Sequence, residues 1–275
     1  MKDTVILYHA NCIDGFGAAF AAWKKFKNRA TYLPVEHQVP PPEGLKGKII
    51  YTVDFCYRAQ DLRKLVKANR EVVVLDHHIG VKEDMEEATK YVFQNDHSGS
   101  VITWNYFHPK RKIPKLLLHI EDTDLWKFKL PHTKEVSAAL ELVPFDFKIW
   151  DKIVKGCESL RTRKKFIEKG ENVREYQMAV VKRVVLKAQE AEFEGYRTLV
   201  ANSPILASEI GNTLVMKKPP IAIVWSADRK RINVSLRSDG TVDVSEIAKK
   251  YGGGGHRAAS GFALPVTGKF PWRNV

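Results

Sequence analysis

A chain of 275 residues, 44% of them hydrophobic, can bury one large core or two moderate ones, which excludes disorder as its main state. Its formal charge of +13, from 45 Lys plus Arg against 32 Asp plus Glu, predicts attraction to phosphate-bearing partners, although a surplus kept for solubility gives the same balance. The run Val5-Ile6-Leu7 is too short for a signal-peptide core or a membrane span, and Cys12, Cys56 and Cys157 have neither an even count nor zinc-type spacing, so a soluble cytoplasmic protein with small buried cysteines is expected.

Short β-rich runs alternate with helical stretches from the start: a strand over Val5–Tyr8, a helix over Gly15–Phe26, a strand over Thr31–Val35. The alternation continues through a strand over Lys48–Phe55, a helix over Ala59–Asn69 and a strand over Glu71–Leu75, which predicts a parallel α/β sheet. Pro40-Pro41-Pro42-Glu43-Gly44 reads as a rigid loop within it. Ser98-Gly99-Ser100 caps a helix carrying Val101, Ile102, Trp104 and Phe107, and Pro114 opens another that carries Leu116, Leu117 and Leu118 towards Glu121. From Arg161 to Glu194 strand signals vanish, and Val173, Tyr176, Val180 and Val184 are spaced for one helical face. A coiled-coil seam, which would make a homodimer, is a second reading of that stretch, but the heptads are not sustained. Strands return at Thr198–Ala201, Ile221–Trp225 and Arg231–Arg237, and a helix over Ser245–Tyr251 ends in a glycine run. The expected organisation is an N-terminal α/β domain over residues 1–160, a helical connector over 161–194 and a smaller α/β domain over 195–275.

In an open parallel sheet, functional residues collect just past the carboxyl ends of the strands. Here His9 follows Val5-Ile6-Leu7-Tyr8, Asp54 follows Ile49–Val53, and Asp76-His77-His78 follows Val72–Leu75, with Glu121-Asp122-Thr123-Asp124 as a fourth candidate. An isolated Asp at such a place is usually a cap or turn former, and an isolated His an ordinary polar residue. Recurrence at one topological position reverses that reading, and mixed carboxylate and imidazole ligands suit manganese, iron or zinc.

His9 with Asp14-Gly15, Asp54 in Tyr51-Thr52-Val53-Asp54, Asp76-His77-His78 and Asp122-Thr123 resemble, in order, the motifs of the DHH phosphoesterases. Gly252-Gly253-Gly254-Gly255-His256-Arg257-Ala258-Ala259-Ser260-Gly261 resembles the glycine-rich signature of the associated C-terminal domain, as in the nanoRNase or oligoribonuclease-like branch. The resemblance implies a manganese centre of one or two ions, with magnesium or cobalt as substitutes, in a cleft between the domains. It implies that His9, Asp14 and Asp54 bind one ion and Asp54, His77 and Asp122 the second, with Asp54 bridging. Asp76 would ligate or orient an imidazole, and His78 would donate to the phosphate or leaving group, making Asp76 and His78 the catalytic pair. Two cations ~3.5–4 Å apart clamp the attacking and leaving oxygens of a phosphoryl group.

The family commonly has a second Asp two positions after the first in the opening motif, whereas this chain has Asp14-Gly15-Phe16. A second ion would then need Asn11, Asp124, His78 or water in its place. By the same resemblance, Gly254, Gly255 and His256 bind a non-scissile phosphate or sugar, and Arg237 grips a phosphate. The glycines, placed after a helix and before Phe262-Ala263-Leu264, predict a shaped loop more than a flexible linker. The expected function is hydrolysis of phosphodiester or phosphomonoester bonds in small nucleotides: short oligonucleotides, linear or cyclic dinucleotides, or 3′,5′-bisphosphate nucleosides. A single-strand exonuclease on longer nucleic acid and a non-catalytic nucleotide-binding module with a degenerate metal site remain alternatives.

Overall fold

The computed structural model describes residues 2–36 and 39–275. Its first half is built on β1 (Thr4–His9), β2 (Ala30–Val35), β3 (Ile49–Val53), β4 (Glu71–Asp76) and β5 (Lys90–Phe93). All four pairings are parallel, in the order β2-β1-β3-β4-β5. The strands are apolar on both sides because both faces are covered. Ile6, Val53, Val73 and Leu75 pack with Ala18, Ala22, Ile102 and Phe107 from α1 (Ile13–Phe26) and α3 (Gly99–Phe107). Val5, Leu7, Ile50, Val72 and Val74 pack on the other side with Leu62 and Leu65 of α2 (Ala59–Ala68). Outside α1 lie α4 (Lys115–Asp124), α5 (Thr133–Leu140) and α6 (Phe147–Glu158), joined to it by Phe16, Phe20, Trp104, Leu116 and Trp150.

A 26-residue helix, α7 (Leu160–Val185), follows, and the chain divides into two units inside it, at Arg174/Glu175. Its buried hydrophobic side chains are Val181 and Val185 rather than the expected stripe, of which Val173, Val180 and Val184 are half-buried and Tyr176 is 70% exposed. The second unit is a mixed seven-stranded sheet of β6 (Gln189–Phe193), β7 (Tyr196–Asn202), β8 (Ile221–Ala227), β9 (Arg231–Ser238), β10 (Gly254–His256), β11 (Ala259–Pro265) and β12 (Arg273–Asn274). Its order is β10-β11-β9-β8-β7-β6-β12, and only β7 and β8 pair in parallel. The crossover between them is α8 (Ala207–Lys217), which shares a core of Ile210, Leu214, Ala222 and Val224 with the end of α7. Val244, Ile247 and Ala248 of α9 (Val244–Lys250) cover the opposite face.

β6 lies in a stretch that carries no strand signal, because of its five residues only Ala191 and Phe193 face the core. The second half of the glycine run is a strand rather than a loop: after a turn at Gly252, β10 pairs with β11 through Gly254↔Gly261, Gly255↔Ser260 and His256↔Ala259. A Cβ on Gly255, which has φ +139°, would stand 2.6 Å from Ser260 Cα, so only glycine permits this approach.

Candidate metal centre

The carboxyl ends of β1, β3 and β4 converge on one group of acids and imidazoles. Each is held by the strand or helix end that carries it. Asp54, one residue beyond β3, takes φ +64°, a left-handed conformation that a non-glycine residue adopts at a cost of about 1–3 kcal/mol. It is 1% exposed, and its two oxygens face different neighbours. Oδ2 lies 3.4 Å from His9 Nδ1 and 3.6 Å from Cys12 Sγ, while Oδ1 lies 3.3 Å from His77 Nε2.

Two helix starts close in on this carboxylate. Gly99 opens α3 so near to it that a Cβ would sit 2.6 Å from Asp54 Cβ and Oδ1. Asp14, in the first turn of α1, accepts a 3.1 Å hydrogen bond from Ser100 N, which locks α1 to α3.

Asp76 ends β4 fully buried, and its Oδ1 accepts from His77 N (2.7 Å), His78 N (3.3 Å) and His78 Nδ1 (2.7 Å). Burial opposes its charge, but the hydrogen bond and charge of His78 prevail and hold its carboxyl below the usual range. The same bond acts on the imidazole: burial pulls the His78 pKa down, yet Asp76 raises it to about 9.

Three groups each offer ligand atoms within 4.8 Å of one another: Asp54, Asp76, His77 and His78; His9, Cys12 and Asp54; and Asp14, His77 and Asp124. Asp54 and His77 each belong to two of them. Crowding marks the electrostatics. Burial first, and the Asp14 charge second, push the Asp54 carboxyl well above the usual range. The same two causes push Asp124, whose side chain keeps 26% of its surface open, up to about 7. Asp14 Oδ2, Asp54 Oδ1 and Asp76 Oδ2 are buried without a hydrogen-bond partner. Orphaned carboxylate oxygens are costly, and a divalent cation would satisfy them together with the imidazoles. The donor set therefore fits a metal.

Of the residues expected here, His9, Asp14, Asp54, Asp76, His77 and His78 are brought together. Asp122 is employed elsewhere: its carboxylate accepts from Lys129 N (2.8 Å), Leu130 N (2.9 Å) and Thr133 Oγ1 (2.6 Å), tying down the turn into α5. Asp124, two residues on, lies 3.6 Å from His77 Nε2 instead. Phe16 is 1% exposed, stacked on Phe145 and Phe147 at 4.9 and 4.8 Å and edge-on to Trp150 at 4.9 Å. The position two residues after Asp14 thus belongs to the core. Cys12, two residues before it, faces the centre, whereas the sequence alone places that residue among the small buried cysteines.

In the second unit Arg237 donates to Ser208 Oγ (2.7 Å) and to Leu236 O (2.8 Å). Register across β9, β11 and β10 aligns Arg237, Ala259 and His256, so the two side chains leave the sheet on the same face from backbone positions about 10 Å apart. Gly254 and Gly255 lie beside them on β10.

Comparison with known proteins places these observations. Residues 196–271 match the DHHA1 domain. Over 298 aligned positions, covering 98% of this chain and 70% of the relative, the sequence is 32% identical to uncharacterized protein R106 of Acanthamoeba polyphaga mimivirus. Among solved structures, a DHH domain described as a member of a family of ribosomal proteins superposes with a TM-score of 0.65 at 15% identity, covering 94% of this chain and 82% of that one. An exopolyphosphatase-related protein from Bacteroides fragilis gives 0.51 at 12% identity, covering 98% and 88%. The pGpG-specific phosphodiesterase PggH from Vibrio cholerae gives 0.50 at 13%, covering 96% and 94%. None of the helices among the described residues is long and apolar enough to cross a membrane. With a parallel five-stranded unit whose strand ends gather Asp and His residues, and a match to the DHHA1 domain over residues 196–271, the chain carries a DHHA1 domain and shares the fold of solved DHH proteins.

Proposed function

We propose that this protein is a metal-dependent hydrolase of phosphodiester or phosphomonoester bonds in small nucleotides, such as short oligonucleotides, linear or cyclic dinucleotides and 3′,5′-bisphosphate nucleosides. The observation that carries the reading is the set of buried, orphaned carboxylate oxygens of Asp14, Asp54 and Asp76 gathered with His9, His77 and His78. An inert binding module gains nothing from such a costly arrangement.

In this reading His9, Asp14, Asp54, Asp76, His77 and Asp124 would hold one or two divalent ions, with Asp54 shared between the groups of candidate ligands. Manganese is the ion the family resemblance suggests. When bound, a divalent cation supplies positive charge for the phosphoryl oxygens and makes water a stronger nucleophile at neutral pH. His78 holds its proton for the leaving oxygen, and the bond from Nδ1 to Asp76 orients the ring for that transfer. Arg237, anchored on Ser208, offers its guanidinium to a non-scissile phosphate, and His256 and the glycine backbone of β10 complete that grip. The Vibrio protein, described as pGpG-specific, supports a substrate of dinucleotide size for this fold.

The test is incubation of the purified protein with short RNA and DNA oligomers, cyclic dinucleotides, bisphosphate nucleosides and polyphosphate, with and without added metal, followed by product masses. Metal-dependent cleavage of a nucleotide class is the expected result. Cleavage of polyphosphate alone would replace the substrate assignment, and binding without turnover of any member would favour the non-catalytic module.

A further inference from the structure

The turn between β1 and α1 carries a residue that the proposed metal set leaves out. Cys12 follows Asn11, whose φ of +55° bends the chain back towards the sheet. Its Sγ stands 3.6 Å from Asp54 Oδ2, and His9, Cys12 and Asp54 offer ligand atoms within 4.8 Å of one another. The carboxylate it faces is 1% exposed, with Oδ1 lacking any hydrogen-bond partner.

Helix capping alone does not account for a cysteine here. Sγ accepts from Gly15 N at 3.5 Å, the work of an N-cap, but Ser, Thr, Asp and Asn perform it better than a thiol. What sulfur adds is ligand softness. A thiolate favours zinc and iron, whereas an all-oxygen-and-nitrogen set leaves manganese and magnesium competitive.

We propose that Cys12 is a thiolate ligand of the metal position formed with His9 and Asp54, and that this position selects zinc, cobalt(II) or iron(II) over manganese and magnesium. Ligation releases the thiol proton to solvent. The inference rests on the metal centre proposed above and adds to it the class of ion. It also changes the frame of the opening motif: its paired ligands are Cys12 and Asp14, with Phe16 outside the site.

The test uses cobalt(II) as a spectroscopic probe on the full-length, metal-free protein. Wild type should show a thiolate-to-cobalt charge-transfer band in the near ultraviolet at one equivalent. Cys12→Ser, which keeps a good N-cap, should bind cobalt without that band, while Cys56→Ser and Cys157→Ser should retain it. In competition, Cys12→Asp should lower the ratio of zinc to manganese affinity by more than the ~10–100-fold that loss of a ligand's supporting hydrogen bond costs. Cobalt bound by wild type with no such band, or a band surviving in Cys12→Ser, overturns the proposal and leaves the centre standing. Failure of wild type to bind cobalt or zinc at all overturns the centre itself, and the proposal with it.

Discussion

Gly99→Ala should separate the site from the fold. The added Cβ would stand 2.6 Å from Asp54 Cβ and Oδ1 and 2.9 Å from its Cα, against an ordinary contact of 3.4–4 Å. Asp54 must therefore move by about 0.8 Å to relieve the clash. The clash includes Cα and Cβ, so relieving it strains the 2.9 Å bond from Asp54 N to Leu75 O and carries the carboxylate with the backbone. Overpacking of this kind costs about 1–3 kcal/mol, and replacing glycine by alanine at a position without positive φ returns about 0.4–1 kcal/mol. The net loss of stability is then on the order of 0–3 kcal/mol, small enough for the chain to stay folded. The effect on function should be larger, since a 1 Å misplacement of a catalytic group can cost ~10²-fold in rate. Urea unfolding of the metal-free protein, a cobalt titration and turnover on the substrate found above measure the three quantities. Gly80→Ala, with nothing within 4 Å of its Cβ, is the control. Wild-type metal affinity and turnover in Gly99→Ala would refute the placement of Asp54 at the working centre.

The neighbouring acids of α4 should behave oppositely. Asp122→Ala should destabilise the fold by about 1.5–3 kcal/mol for each charge-assisted bond that water does not replace, with metal content unchanged, whereas Asp124→Asn should lower metal affinity and leave the metal-free fold intact. A second expectation concerns pH. Asp124 is raised from 3.8 to about 7 in the folded chain and His78 from 6.5 to about 9, so each favours folding below its ordinary value, and that stability is lost as pH rises through the folded one. Thermal melts of the metal-free protein should therefore fall from pH 5 towards pH 9, and saturating zinc or manganese should reverse the trend; a metal-free melting temperature that rises across this range contradicts the crowded carboxylates. Finally, Arg237→Ala should raise KM with metal content unchanged, and loss of metal in that variant would contradict the division of labour between the two units.

The strand ends were legible because physics makes them so. A parallel strand covered on both faces must be continuously apolar, so Val72-Val73-Val74-Leu75 announces itself and the residues after it are located to within one position. His9, Asp54 and Asp76 followed from that rule alone. Helix ends carry no such marker. Asp122 and Asp124 stand two residues apart on α4, where successive side chains turn by about 100°, so the two carboxylates point to different surroundings. Which one meets His77 is decided by the later turn Lys129–Thr133, whose amides and hydroxyl claim Asp122 first.

The same reasoning applies to the opening motif. Counting forward from Asp14 arrives at Phe16, but that ring is committed to Phe145, Phe147 and Trp150, more than 120 residues away, and local spacing carries no trace of them. Counting backward arrives at Cys12, whose direction depends on the positive φ of Asn11 and on the approach of Asp54. The glycine run shows the converse. Without side chains it carries no pattern of its own, and it becomes a strand only because Ser260 and Gly261 on β11 demand a partner that comes this close. Residue chemistry at this centre is therefore a local property, readable from recurrence. The frame within each motif is set by whichever distant segment has already taken one of the candidate side chains, which is why Cys12 and Asp124, the residues left unclaimed by the core and the turn, are the ones that face the centre.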